Sequence, residues 1–366
     1  MSLHNDFLSI IMLSFSQPIL TANKLKEDMK VAELGYKKSV CYYTRAQMDI
    51  IFNVTEAFYQ VYKAAFELRI NQERLVNSKE ALRIAKLKQE TGNLPEGDLL
   101  TAEVIVAQDE SRVMENEGIL EATYDDFKLL IGLEINDSIE LIADMEFDAF
   151  IVDMHVAIDE AIQNRMEIAE NELNIELQGI EVKRAKRERE FKGDISAYYD
   201  FTGLSTLEKG SLGDLVESSF KNMSDRPSNR GIVLTLSYPI ADWGRAKNLV
   251  KREERRLNQQ KLDLENTKRK IETEVRKIVR SVYETEQRYR INQKNREIAL
   301  ESYRISQLRF GNGDMTSQEL SIEQERLSQV QLAYIESYIT YRLSVADLNR
   351  KTMYDFENNR SYKINN

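Results

Sequence analysis

Chain breakers are scarce in this sequence of 366 residues, with only four prolines and fourteen glycines. Compact folds turn often, and turns consume both residue types. So few of them in so long a chain implies few, long elements. A single cysteine, Cys41, excludes an intramolecular disulfide and a cysteine-built metal site. Two histidines, His4 and His155, are too few for a histidine metal cluster. No run of eighteen apolar residues occurs, which excludes a transmembrane helix. Positive charge is also short: 51 Lys and Arg against 61 Asp and Glu leave a net charge of −10, which argues against a nucleic-acid partner. Neither a phosphate-binding Gly loop, a Gly-x-Ser-x-Gly elbow nor a His-Glu-x-x-His pair is present, so the chain reads as a protein without catalysis or cofactor.

What is present is a repeat. Residues 231–247 read GIVLTLSYPIADWGRAK. Ile232, Leu234, Leu236 and Tyr238 alternate with Val233, Thr235 and Ser237, the period of a two-sided strand. Pro239 ends it, having no N–H for a ladder. Residues 11–26, IMLSFSQPILTANKLK, repeat the pattern at an offset of 221: Pro18 falls on Pro239, Ser16 on Ser237, Leu13 on Leu234 and Lys26 on Lys247. Residues 7–15 could also be the apolar core of a signal peptide. The positive segment that should precede such a core is missing, and the repeat assigns these residues to a strand.

In chain order, residues 1–17 form the first strand. A helix spans about 20–90, with apolar residues at Ile50, Val54, Phe58, Val61, Ala65 and Leu68. About 70 helical residues reach on the order of 100 Å, too long for a compact globule. The cluster GNLPEGD at 92–98 is a turn, a second helix runs over 98–131, and Gly132 ends it. An acidic connector covers 133–150. A third helix covers 152–191, with a basic end at Lys183, Arg184, Lys186, Arg187, Arg189 and Lys192 that reads as a solvated face. Residues 194–204 alternate as a strand, 205–229 are a long polar loop, and the strand at 231–238 completes a hairpin. A second long helix runs from Trp243 to about Phe310, and after Gly244 no Gly or Pro interrupts it. Leu257, Leu264, Ile271 and Ile278, with Val275, Val282 and Tyr289, form a seven-residue seam of the coiled-coil type. A turn at 311–314, a helix over 316–350 and a frayed polar tail at 351–366 finish the chain. Leu320 and Glu323 lie 220 residues after Leu100 and Glu103, which suggests a one-residue indel between the copies. The two repeats are thus 1–150 and 151–366.

Strand, proline, long helix, glycine turn and helix, twice over, resembles the TolC-type outer-membrane channel family. The resemblance is carried by LSFSQPIL (13–20), LSYPIADWGR (236–245), the turns and helix starts at 92–103 and 313–323, and AIDEAIQNRMEI (157–168), where Met166 stands in place of the family's usual proline. It implies a mainly α fold. Long antiparallel helical hairpins would line a periplasmic tunnel, and strands would be shared in a trimeric β-barrel in the outer membrane. It further implies a homotrimer acting as passive exit duct of a tripartite efflux pump or type I secretion system. The partners would be a periplasmic adaptor protein, an inner-membrane transporter and outer-membrane lipid. The family has an export signal, a helix and a further strand ahead of the position of Met1, so the implied function is that of the protein with this leading portion in place, and three strands stand here where the family has four. Physics agrees on closure: strands with open edges cannot sit in lipid, and three short ones cannot close a barrel alone.

The resemblance also assigns sites. Leu13, Phe15, Ile195, Tyr199, Phe201, Leu234 and Leu236 belong to membrane strands. Tyr238 and Trp243 fall at the membrane interface, although a place in a core suits aromatics equally. Glu319, Glu323, Asp98 and Glu103 are candidates for a ring of carboxylates at the tunnel constriction. Acids are also favoured at helix N-termini for local reasons. The turn residues Gly92, Asn93, Leu94, Gly313, Asp314 and Met315 match adaptor-docking positions. The alternative to a channel is a soluble coiled-coil scaffold, which heptads and acidity permit but which has no need of strands long enough to cross a bilayer.

Overall fold

The computed structural model describes residues 5–19, 23–92, 95–139, 141–142, 151–207 and 211–362. In order, the elements are β1 (Asn5–Pro18), α1 (Lys24–Glu90), α2 (Glu96–Ile131), α3 (Met154–Asn164), α4 (Met166–Arg187), β2 (Lys192–Leu207), α5 (Leu212–Asp225), β3 (Asn229–Ser237), α6 (Arg245–Asn312), α7 (Ser317–Thr352), β4 (Tyr354–Asp355) and β5 (Arg360–Ser361). Among the described residues no helix is long and apolar enough to cross a membrane.

The repeat is visible in the element bounds. The long helices α1 and α6 contain 67 and 68 residues, and their first residues, Lys24 and Arg245, are 221 apart. Both α2 and α7 contain 36 residues, and both their ends are 221 apart. The indel suggested by Leu100 and Leu320 is therefore corrected. The copies stay in one register through the turn, and the two leucines occupy successive rather than equivalent helical positions.

The chain divides into two compact units, Met1–Lys38 with Asn171–Asp263, and Ser39–Glu170 with Leu264–Asn366. Each unit draws on both repeats.

The first unit is built on an antiparallel sheet of order β1-β2-β3. The register pairs Leu13 with Tyr199, Ile11 with Phe201 and Ile195 with Leu234. The polar loop expected over 205–229 contains α5, a correction with a local cause. Ser211 and Asp214 form a capping box that satisfies the first N–H groups of a helix in a segment whose Ser and Gly content argues for a loop. Ser219 bonds Ser9 Oγ and the Gly203 carbonyl, both at 2.9 Å. A Cβ on Gly203 would lie 1.9 Å from the Ser219 carbonyl, so only glycine permits this approach. The basic end of α4 is likewise not simply solvated: Arg184 pairs with Asp28 at 2.6 Å, Lys186 with Glu254 at 3.1 Å, and Arg187 with Glu27.

The second unit packs the helical hairpins around three apolar clusters. Ile271, Val275, Ile278 and Val282 of α6 meet Tyr341, Val345 and Leu348 of α7 and Ala157 and Ala161 of α3. Tyr289 meets Tyr59, Phe66, Tyr334 and Tyr338. Tyr303 and Phe310 meet Leu320 and Leu327. The α6 seam thus packs as its heptads require. On α1 the expected row is met in part: Val61 is fully buried, Val54, Phe58, Ala65 and Leu68 are half-buried and Ile50 is exposed, while Tyr59, Phe66 and Ile70 supply the rest of the buried side.

Two further expectations are corrected here. The third helix is broken: Arg165 is extended (φ −67°, ψ 128°) between α3 and α4. Proline is not required for the break, because Arg165 in this conformation pairs with Glu167 and, at 2.7 Å, with Glu274 of α6. The tail, expected to fray, carries defined structure over 353–362. Met353 takes a left-handed conformation, β4 pairs with β5, and Phe356 joins the first cluster. Buried Asp355 accepts from Asn358 and Arg360 and so closes the short hairpin.

Candidate functional site

The sheet register decides which strand residues share a face. Directly opposed residues in antiparallel strands point the same way. All seven expected membrane-strand residues, Leu13, Phe15, Ile195, Tyr199, Phe201, Leu234 and Leu236, therefore fall on one face, together with Ile11, Ala197 and Ile232. The other face carries Ser14, Ser16, Asp194, Ser196, Asp200, Thr202, Thr235 and Ser237, with a smaller, also exposed apolar share of Leu8, Ile10, Met12, Leu204 and Val233. The apolar face is bare: Leu13 is 75% exposed and Ile232 79%. β1 and β3 are the outer strands, and neither has a further hydrogen-bonded neighbour among the described residues. Below the sheet, Trp243 is 100% exposed with φ 51°, and Tyr238 is 50% exposed and stacked on Phe191 at 4.3 Å. Neither is a core aromatic. Asp242 caps α6 by accepting from Ala246 N and Gly244 N, and these bonds hold its carboxyl below the ordinary range.

The hairpin ends form the second group. Gly313 takes φ 92°, donates to Phe310 O at 3.1 Å and is followed by Asp314 N donating to Arg309 O at 2.9 Å. This is a Schellman ending, which a left-handed glycine makes possible. Gly92, also left-handed at φ 73°, donates to Gln89 O. Asn93 and Leu94 lie outside the described residues. Lys88 joins the two ends: its ammonium donates to Phe310 O and lies 4.8 Å from the Phe310 ring. Asp314 is exposed, whereas Met315 is half-buried and packs on the cluster around Phe310 and Leu320.

Glu319 and Asp98 occupy the same third position of α7 and α2. Thr316 caps α7. Its N and Oγ1 donate to Glu319 Oε2 at 2.8 and 3.0 Å, and Glu319 N donates back to Oγ1 at 3.2 Å. The bond from the Thr316 backbone, then that from its hydroxyl, holds the Glu319 carboxyl below its ordinary range. Thr316→Ala is expected to remove about 1 kcal/mol by loss of this cap, measurable as a lowered melting temperature. α2 has Pro95 at the equivalent place and no side-chain cap, so Asp98 lacks this arrangement. Glu103 pairs with Lys86 of α1 at 3.5 Å, and Glu323 with Arg326 at 3.8 Å. The structure therefore places Asp98 and Glu319 in equivalent first turns and gives Glu103 and Glu323 separate basic partners.

One cluster escapes a reading of the sequence. Arg74 of α1 is 6% exposed, and its Nε donates to Asp109 of α2, 1% exposed, at 2.7 Å. Its Nη1 also donates to Glu325 of α7, which Arg112 reaches at 2.9 Å. Burial pushes the Glu325 carboxyl up, but hydrogen bonds from Arg74 and Arg112 outweigh it and hold the group at about 2. Gln324 Nε2 donates to the Arg74 carbonyl at 2.8 Å, and a polar hollow of about 250 Å³ lies alongside, lined in part by Asn77, Gln307 and Gln331. The available signal was the placement of these charges on the buried rows of their helices.

No curated protein matches the chain in sequence. Solved structures match it closely in fold. The Campylobacter jejuni CmeC outer membrane channel superposes with a TM-score of 0.70 at 17% identity, over 94% of this chain and 77% of that one. The outer membrane protein VceC from Vibrio cholerae gives 0.68 at 12% identity, over 95% and 86%. The Neisseria gonorrhoeae MtrE outer membrane channel, in its open state, gives 0.64 at 14% identity, over 94% and 80%. At these identities the likeness concerns the fold: long helical hairpins, a small sheet and two repeats in the arrangement described above. The outer membrane efflux protein family model accounts for residues 10–132 and 157–350, most of the chain and both repeats, and the protein is a member of that family.

Proposed function

We propose that the protein is the outer-membrane exit duct of an efflux or secretion machine, working as a homotrimer with a periplasmic adaptor and an inner-membrane transporter. The observation that carries this reading is the one-sided sheet. Strands of 14, 16 and 9 residues, a bare face that is mainly apolar against one that is mainly polar, and outer edges unpaired among the described residues suit a barrel closed by further strands, with lipid outside and water within. A soluble scaffold offers no reason to leave Leu13, Ile232 and Leu236 uncovered. The helical hairpins would continue the duct in the periplasm, and transport through it would be passive.

At the hairpin ends, three-fold symmetry would gather three Glu319 carboxylates. Such a ring attracts cations, and its mutual repulsion raises carboxyl pKa values against the lowering that Thr316 produces. Asp98, Glu103 and Glu323 would add charge near it. The turns at Gly92 and Gly313, with Asp314, would meet the adaptor. Planar-bilayer recording on the full-length protein tests the reading. Channels of uniform conductance are expected, and Glu319→Gln should lower cation-over-anion selectivity several-fold. Unchanged selectivity would remove the gate role, and no conductance at all would remove the duct.

A further inference from the structure

Between β2 and β3 the chain makes α5, and its position on the sheet is informative. It touches the sheet through Ser9 and Gly203, whose register partners place them on the same face as Leu13, Tyr199 and Phe201. It does not lie on the face that carries Asp200 and Thr202, the side that would look into a lumen. It sits at the end of the strands remote from Pro18 and Gly193, where the chain passes into α1. A barrel's apolar band of about 25 Å, crossed by strands tilted at about 40°, takes roughly ten residues. Ten residues separate Gly193 from Gly203. The helix therefore lies where the apolar band stops.

Its own sequence carries more apolar surface than the sheet uses. Leu215, Ser219 and Met223 are buried at intervals of four and make the seat. At about 100° per residue, Leu212, Val216 and Phe220 form a second row on one flank of that seat. Leu212 is 77% exposed, Phe220 51%, and Val216 is half-buried. Asp214, Glu217, Lys221 and Asp225 occupy the opposite side. A helix with one seated row, one bare apolar row and a polar back has the pattern of a helix lying in a membrane interface.

We infer that α5 is a membrane-surface helix, resting on the outer leaflet beside the barrel and inserting Leu212, Val216 and Phe220 among the lipids. This rests on the channel reading above. Continuity with the apolar sheet face selects lipid over a protein partner, since the bare row adjoins the same surface that the proposed bilayer covers. With three acids and one lysine, the helix has no positive face to hold anionic headgroups, so apolar insertion holds it and salt does not release it.

Site-specific quenching tests this in the full-length protein reconstituted into phosphatidylcholine vesicles containing doxyl-labelled lipid. In a Cys41→Ala background, bimane is attached at Phe220→Cys, Lys221→Cys or Leu13→Cys. Lipid quenching about threefold stronger at 220 than at 221, unchanged in 0.5 M salt, is the expected result. Quenching at 13 without a difference between 220 and 221 overturns the placement of α5 and leaves the channel reading standing. Absence of quenching at 13 overturns the channel reading, and this inference with it.

Discussion

Replacing Arg74 by methionine is expected to cost about 3–5 kcal/mol of stability, because it strands Asp109 as an uncompensated buried charge. Asp109 Oδ1 takes the Arg74 Nε hydrogen bond, and its Oδ2 has no hydrogen-bond partner among the described residues, so the carboxylate has nothing in reserve. Glu325 would keep Arg112 but lose the stronger hydrogen-bonding partner. The double variant Arg74→Met with Asp109→Leu should recover most of the loss, since apolar replacement of a buried pair is often neutral. Chemical denaturation followed by circular dichroism reads both effects. A single variant within 0.5 kcal/mol of the parent, on the scale of ordinary surface substitutions, would show that the pair is not needed by this fold. The same cluster sets a pH limit. Glu325 has a folded value of about 2 against an ordinary 4.5, so its contribution is present in full above about 4.5 and disappears as pH falls through about 2. The sign is that of a depressed carboxyl, and Glu325→Gln should flatten the acid limb of a stability–pH curve over that window.

Leu13→Arg is expected to weaken membrane insertion by about 2–4 kcal/mol, the cost of a cation on the lipid face of a barrel. Met12→Arg, one residue away on the opposite face and paired in register with Asp200, should cost far less. Urea unfolding of the reconstituted protein, or the fraction recovered in membranes after folding, distinguishes the two. Equal penalties at 12 and 13 would mean that the sheet does not separate lipid from water.

Much of the architecture was legible because it rests on local rules. Long helices follow from the want of breakers, and their lengths in both repeats agree with what the offset between Pro18 and Pro239 demands. Alternation in β1, β2 and β3 marks strands, since the period of two is imposed by the pleat. The unexpected elements have nonlocal or masked causes. α5 is hidden in a segment rich in Ser and Gly, and its capping box and its seat on Gly203 become evident only when strand and helix are together. The break at Arg165 lacks the proline that would announce it, and pairing with Glu274, 109 residues away, accompanies it. The tail from Met353 to Tyr362 is polar in sequence, yet it buries Asp355 and Phe356 against helices distant in the chain.

By itself the sequence determined the duplication, the long rods, the three alternating strands and the acids that open α2 and α7. These depend on residue spacing, which the chain carries in one dimension. Only the tertiary structure decided that seven apolar strand residues share one face and that α5 covers its far end. It alone brought Arg74, Asp109 and Glu325 together across 251 residues. The physical reason is register: a slip of one residue in a strand pairing, or of one position around a helix, exchanges the buried face for the exposed one. That choice is made by all neighbours at once, through burial and charge compensation that no single segment contains.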